Sequence, residues 1–197
     1  MANVTIGIGA VITVVVGVPS LVSLIPESLV NPNKSGGTWT PLAADELKAL
    51  DASVNGPVKL TFSFKYADGY LPPIDDTQFA WGLKLSPDQV SSFKAKRPDL
   101  FDKPNDEVHG YDPVNMGFVV FSSICPHLGC RYNWDGAAKR FICPCHGSQY
   151  DEFGAHLAGP APRGLDPLPF REKSGVAEVM WIQYKSQQPD RVIVAYS

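Results

Sequence analysis

All four cysteines and two of the four histidines lie between Cys125 and His146, in the two short runs CPHLGC and CPCHGSQY. A chain that gathers its soft donors this way has to fold so that the two runs meet, because thiolates and imidazoles hold a metal only as a converging set. Cys125 and His127 are separated by one residue and Cys143 and His146 by two, and each pair has a further cysteine beside it, Cys130 and Cys145. Between the runs, Trp134-Asp135-Gly136 followed by 139–142 reads as a hairpin that folds the second run back on the first. Two chemistries suit these donors. A structural zinc site would take two thiolates and two imidazoles but leave two cysteines unused. An iron–sulfur centre would place thiolates on one iron and imidazoles on the other. Zinc ribbons favour paired C-x-x-C knuckles, whereas Cys143 and Cys145 are one residue apart, so the iron–sulfur reading accounts for more of the pattern.

The rest of the chain reads as β structure. With 17 glycines and 18 prolines in 197 residues, short strands and many turns fit better than a helical bundle. Residues 58–66, 79–85, 117–123, 176–184 and 191–196 alternate or cluster β-branched and aromatic side chains, between turn signals such as Asp68-Gly69 and Asp135-Gly136. These predict an all-β, antiparallel sandwich. Thr40-Pro41 predicts a short helix running to Leu50, and Ser86-Pro87-Asp88 a second helix start. From 94 to 115 the chain is polar and proline-containing with no clear element, so 86–115 reads as a surface insertion. The net charge of −3 supplies no basic field, which argues against nucleic-acid binding. No nucleotide loop, haem C-x-x-C-H site or catalytic triad is evident. His109 and His156 have no donor partner at ligand spacing and read as surface residues. Trp39, Trp81, Trp134, Trp181 and Met116 read as packing.

The N-terminal segment is of a different kind. No Asp, Glu, Lys, Arg or His occurs in residues 1–26, and 4–25 is dominated by Val, Ile, Leu and small residues. Those 22 residues, at about 1.5 Å each, reach about 33 Å, enough to cross a hydrocarbon core of about 30 Å. A cleaved signal peptide would want a basic region before the apolar run, and only Ala2 and Asn3 follow Met1. The sequence PESLVNPNKSGG at 26–37 then reads as a flexible hinge linker. The expected organisation is a transmembrane anchor at 1–25, the linker at 26–37 and a head at 38–197, whose metal-binding part spans about 118–163.

CPHLGC together with CPCHGSQY resembles the two cluster-binding loops of Rieske iron–sulfur proteins, and specifically those of quinol-oxidising cytochrome bc complexes. Gly159-Pro160-Ala161-Pro162 is similar to the family's proline loop, and the anchor, linker and 58–70 stretch extend the resemblance over most of the chain. It implies a Rieske-type antiparallel β-sandwich head with an inserted cluster-binding subdomain, on a single N-terminal transmembrane helix. It implies a 2Fe-2S cluster ligated by Cys125 and Cys143 on one iron and His127 and His146 on the other, with Cys130 and Cys145 joined in a disulfide. By the same resemblance Ser148 and Tyr150 hydrogen-bond cluster sulfurs, while Leu128 and the exposed edge of His146 face the quinol, His146 accepting its proton.

The function so implied is that of an electron-transfer subunit of a quinol:cytochrome c oxidoreductase. Its implied partners are a cytochrome b subunit with a quinol site, a c-type cytochrome acceptor, membrane quinol and the lipid bilayer, within a dimeric multisubunit complex. An arsenite oxidase-like small subunit is the alternative, since it shares the loops. Soluble Rieske ferredoxins generally lack the extra cysteine pair and an anchor. A disulfide persists in oxidising compartments, so the head is expected on the periplasmic or outer face of the membrane with the N-terminus in the cytoplasm. No twin-arginine pair precedes the anchor, which leaves the export route open.

Overall fold

The computed structural model describes residues 37–53, 56–66, 74–101 and 111–196. The anchor expected at 4–25, all of the linker except Gly37, Asp68-Gly69-Tyr70 and His109 lie outside the described residues. Among the described residues no helix is long and apolar enough to cross a membrane. In chain order the elements are β1 (Trp39–Pro41), α1 (Ala44–Asp51), β2 (Val58–Tyr66), β3 (Ile74–Lys84), α2 (Pro87–Lys96), a 3-10 turn (Pro98–Leu100) and β4 (Phe118–Ser122). There follow β5 (Asn133–Asp135), β6 (Arg140–Ile142), β7 (Gln149–Tyr150), β8 (His156–Ala158), β9 (Pro167–Leu168), β10 (Phe170–Lys173), β11 (Val176–Met180), β12 (Ile182–Tyr184) and β13 (Ile193–Tyr196). The fold is all-β with few helices, as the composition predicts.

The strand β4 organises the molecule. Its sequence FVVFS is buried at every position, the pattern of a strand covered on both faces. It lies third in an antiparallel sheet ordered β2-β3-β4-β9. Because strand side chains alternate, Phe118 and Val120 point into one core and Val119 and Phe121 into another. The first core, the base, packs Leu60 and Phe62 of β2 against Val179 of β11, Trp181 and Ile182. The second packs Phe93 of α2 and Leu100 against Phe141, Tyr132, Tyr150 and the two free cysteines. A separate four-stranded sheet, β5-β6-β7-β8, forms the frame of that second region, and the β5-β6 hairpin is the one expected between the two cysteine runs.

Three local expectations change. Thr40-Pro41 does not begin a helix. Residues 39–41 pair with β11, Leu42 continues the pairing through its N–H to the Ala177 carbonyl at 2.8 Å, and α1 starts only after Ala43, which offers no side-chain cap. The run 176–184 is two strands, because Trp181 interrupts it and buries its ring in the base core, so β11 and β12 join different sheets. The third change concerns 86–115, which begins as structure packed into the second core and not as a solvated insertion. Ser86 caps α2 in a reciprocal capping box with Gln89. Val90, Phe93, Arg97 and Leu100 recur at helical spacing on the inward side, with Phe93, Arg97 and Leu100 buried. Residues 102–110 lie outside the described residues.

Candidate metal centre

The two cysteine runs form loops with the same backbone frame. In each, a cysteine N–H donates at 2.8 Å to the carbonyl five residues on, Cys125 to Cys130 and Cys143 to Ser148. In each, the glycine four residues on donates back to that cysteine's carbonyl at 3.0 Å, Gly129 to Cys125 and Gly147 to Cys143. Both glycines sit at positive φ, +79° and +73°, which a side chain would resist. Proline follows each leading cysteine, so the repeat Cys-Pro-x-x-Gly carries the frame. This repeat is visible in the sequence, and the donor spacing alone does not reveal it. The loops face each other: the imidazoles of His127 and His146 are perpendicular with centroids 4.6 Å apart.

Cys130 and Cys145 form a disulfide that joins the loops, while Cys125 and Cys143 are free and buried. The sulfurs of Cys130, Cys143 and Cys145 lie within 4.8 Å of one another. Two of these three are spent on the disulfide, so that trio is no thiolate site. The donors left are Cys125, Cys143, His127 and His146. His127 is half-buried, and its Nδ1 is buried without a hydrogen-bond partner. A buried ring nitrogen left so is costly unless something else occupies it, and a metal is the electrophile that fits. Burial pushes the Cys125 thiol up, and neighbouring Cys143 adds to this against the hydroxyl of Tyr150 and the backbone N–H of His127. A buried thiol that resists ionising is stabilised as a thiolate by a bound cation, and Cys143 is buried beside it. The donor set therefore fits a metal centre of mixed thiolate and imidazole character. His146 is exposed, so the imidazole side of the site faces solvent and the thiolate side the core.

Around these donors sit the other residues singled out in the sequence. The Tyr150 hydroxyl lies 3.2 Å from Cys125 Sγ. Burial and the Cys125 sulfur hold this phenol far above its usual range, so it stays a neutral donor. Ser148 is fully buried, and its Oγ accepts the Ala161 N–H at 3.2 Å, which leaves its own proton to donate. That bond lays the segment 159–162 across the second loop. Gly159 makes the close approach possible, since a Cβ there would stand 2.5 Å from Ser148 Cα. Ala161 is buried, whereas Gly159, Pro160 and Pro162 are exposed. Leu128 at the tip of the first loop is 51% exposed. His156 is exposed, its ring 5.7 Å from that of Tyr150. The structure thus gathers every residue of the expected site in one region. Sequence reasoning missed Arg97, whose only signal is its place in the helical stripe with Val90, Phe93 and Leu100.

A small all-β domain in which two cross-linked loops each present one free cysteine and one histidine defines a class of iron–sulfur electron-transfer proteins. Residues 89–169 match the Rieske [2Fe-2S] domain. The cofactor of the domain is a Rieske-type 2Fe-2S cluster. The cytochrome b6-f complex iron–sulfur subunit of Prochlorococcus marinus (strain MIT 9515) is 53% identical over 51 residues, 26% of this chain and 29% of the relative. The corresponding subunit of Synechococcus sp. (strain RCC307) is 49% identical over 53 residues, 27% of this chain and 30% of the relative. The match thus spans about 30% of the length of these curated relatives. Among solved structures, the cyanobacterial plasma membrane Rieske protein PetC3 from Synechocystis PCC 6803 aligns with 22% identity and a TM-score of 0.36. That alignment covers 72% of this chain and 98% of the other.

Proposed function

We propose that this chain is the electron-transfer subunit of a cytochrome bc-type complex, oxidising a membrane quinol and delivering the electron to a c-type cytochrome. In this reading Cys125, Cys143, His127 and His146 hold the cluster, which when bound supplies one-electron redox chemistry. The observation that carries it is the asymmetry of the site: two buried thiols inside, an exposed imidazole outside, and an exposed Leu128 beside it. A quinol has an apolar ring and a hydroxyl proton, and this rim offers one group for each. Leu128 packs against the ring, and the outward ring nitrogen of His146 takes the proton that the quinol loses with its electron. Tyr150 and Ser148 aim donors at the sulfurs and favour the more electron-rich state, and the 159–162 segment limits water on that side. Residues 1–25 would anchor the chain in the bilayer and 26–37 would let the head travel between a cytochrome b partner and the cytochrome acceptor. The head would lie on the oxidising face of the membrane, where the disulfide persists.

The test uses the intact membrane complex. The reduced protein should show the EPR signal of a mixed Cys/His 2Fe-2S centre, and Leu128→Arg should retain that signal while quinol-to-cytochrome turnover falls severalfold. Zinc as the bound metal, with no EPR signal, overturns the reading of the centre. Full turnover in Leu128→Arg overturns the quinol-facing assignment.

A further inference from the structure

Arg97 is the largest fully buried side chain among the described residues, and nothing in the chemistry above uses it. Every nitrogen of its guanidinium is nonetheless engaged. Nη1 donates to the Phe153 carbonyl at 3.0 Å and Nη2 to the Leu165 carbonyl at 2.8 Å. Nε and Nη2 also donate to the two carboxylate oxygens of Asp99, at 3.0 and 3.1 Å. Phe153 lies three residues beyond Tyr150, on the path out of the second ligand loop, and Leu165 three residues beyond Pro162, on the path out of the 159–162 segment. One planar group therefore bridges the exits of the two segments that lie against each other at Ser148 and Gly159.

The surroundings are shaped to this group. A Cβ on Gly164 would stand 3.0 Å from Arg97 Cζ and 2.6 Å from the Gly154 carbonyl, and one on Gly154 would stand 2.9 Å from Nη1. The guanidinium fills a slot with no room for a side chain on either wall. Charge continues away from it in a chain. Arg191 Nη2 donates to Asp99 at 2.7 Å, and its Nε lies 3.2 Å from Asp166, off-axis for a hydrogen bond. Asp166 takes a bidentate fork from Arg163, at 2.8 and 2.7 Å, and Arg163 directly follows Pro162. The helix end at Lys96 adds an ion pair to Asp151 at 3.1 Å.

If adhesion were all that this place required, a buried apolar side chain of similar volume would stabilise it at least as well, because desolvating a guanidinium is costly. What arginine supplies and an apolar or ammonium group does not is a rigid fork that fixes the separation of its acceptors. We propose that Arg97 is a positioning residue for the metal centre: by bridging the Phe153 and Leu165 carbonyls it sets how closely the 159–162 segment lies over the ligand loop that carries Tyr150. The proposal rests on the cluster reading given above. Segment 86–101 then serves as a clamp on the back of the centre, which explains why it folds into the second core.

The experiment compares the cluster-loaded full chain with Arg97→Lys, Arg97→Met and Gly164→Ala, using Phe118→Ala as a control that loosens the base core on the opposite face of β4. Three quantities are read: the rate of iron loss to excess EDTA, the width of the EPR lines, and thermal unfolding of the cluster-free proteins. Arg97→Lys keeps a cation but not the fork, and Gly164→Ala keeps Arg97 but closes its slot, so one of them remains informative if Arg97→Met does not fold. Both should lose iron at least about tenfold faster than the unaltered chain, the rate equivalent of one charge-assisted hydrogen bond, and show broadened EPR lines. Phe118→Ala should unfold more readily yet keep the unaltered spectrum and iron-loss rate. Variants at 97 and 164 that match the unaltered chain in both, or a Phe118→Ala that loses iron as fast as they do for the same loss of thermal stability, overturn the proposal. An unaltered chain that gives no 2Fe-2S signal overturns the cluster reading and this inference with it.

Discussion

The two faces of β4 show two ways of building a core. On the base face, Phe118 and Val120 meet long strands whose registers are fixed by extended ladders: β2 and β3 pair over nine successive positions, from Val58 with Gly82 to Tyr66 with Ile74. On the other face, Val119 and Phe121 meet strands of two or three residues joined by loops. There the ladder is too short to set the geometry, and point restraints take over: the disulfide, the Arg97 fork, the Ser148 bond to Ala161, and the hydroxyl of buried Tyr132 on the Ser122 carbonyl. The base is stabilised by area, so a defect there is shared among many contacts. The metal region is held by a few directional bonds, so a single substitution can move the chemistry without unfolding the chain.

The sharpest way to break this comparison is a matched pair on β4 itself. Phe118→Ala and Phe121→Ala each remove a buried ring, and each should cost about 3–5 kcal/mol in denaturant titrations. Phe121 packs edge-on to Phe141 and tilted against Phe93, so its loss should also broaden the cluster EPR lines, whereas Phe118→Ala should not. Equal spectral change in both would mean that the two cores are one mechanical unit.

Removing the disulfide tests the point restraints next. It closes a loop with a sequence separation of 15, and in the chain-entropy account a loop of that length contributes about 3 kcal/mol. The double variant Cys130→Ser with Cys145→Ser should show its loss as faster amide exchange in the two loops and β5 to β8, with the β2-β3 ladder keeping its protection. Uniform loss of protection across both regions would count against a separately restrained metal region.

The same contrast explains what was legible in the sequence. Where the fold rests on periodicity, the reading holds: 58–66 is β2, and 117–123 and 191–196 contain β4 and β13. The candidate site residues stand out in the sequence because their chemistry is rare, Cys and His at close spacing, and the meeting of the two runs and the Cys130–Cys145 bond follow that pattern. What escaped depends on contacts distant in sequence. Thr40-Pro41 has the local chemistry of a helix start, but pairing with β11 wins. Segment 86–101 looks polar because its stripe includes Arg97, and only partners 56 and 68 residues away reveal that arginine as an interior group.

A smaller effect is expected from the sulfur-facing hydroxyl. Tyr150→Phe removes a donor 3.2 Å from Cys125 Sγ and leaves the ring in place. A hydrogen bond to a charged acceptor is worth about 1.5–3 kcal/mol, so the midpoint potential should fall by about 60–130 mV for one electron. Voltammetry of the loaded protein checks this, and an unchanged potential would show that the hydroxyl serves packing on that face and not the centre.

The smallest effect concerns acid, and it probes whether the clamp behind the metal region is electrostatic at all. Burial pushes the Asp99 carboxyl up, but the hydrogen bond from Arg97 and the charges of Arg97 and Arg191 outweigh it and hold the group below its ordinary value of 3.8. A carboxyl depressed on folding stabilises the native state above its unfolded value and loses that contribution as pH falls through the folded one. Asp99 is 43% exposed, so solvent screening keeps the contribution below about 1 kcal/mol. Asp99→Asn should therefore melt slightly lower than the unaltered chain at pH 7, and the gap should close as the pH is taken below about 4. Among the described residues the base ladder holds no such pair in its interior, and the exposed pair of Lys65 with Asp75 at its edge, 2.9 Å apart, gives a control. Asp75→Asn should change the melting curve less than Asp99→Asn at pH 7, because its partner is free to rehydrate while Arg97 is not. A gap for Asp99→Asn that persists undiminished at pH 3 would mean that its carboxylate contributes through shape alone, and that the clamp is held by the two backbone carbonyls.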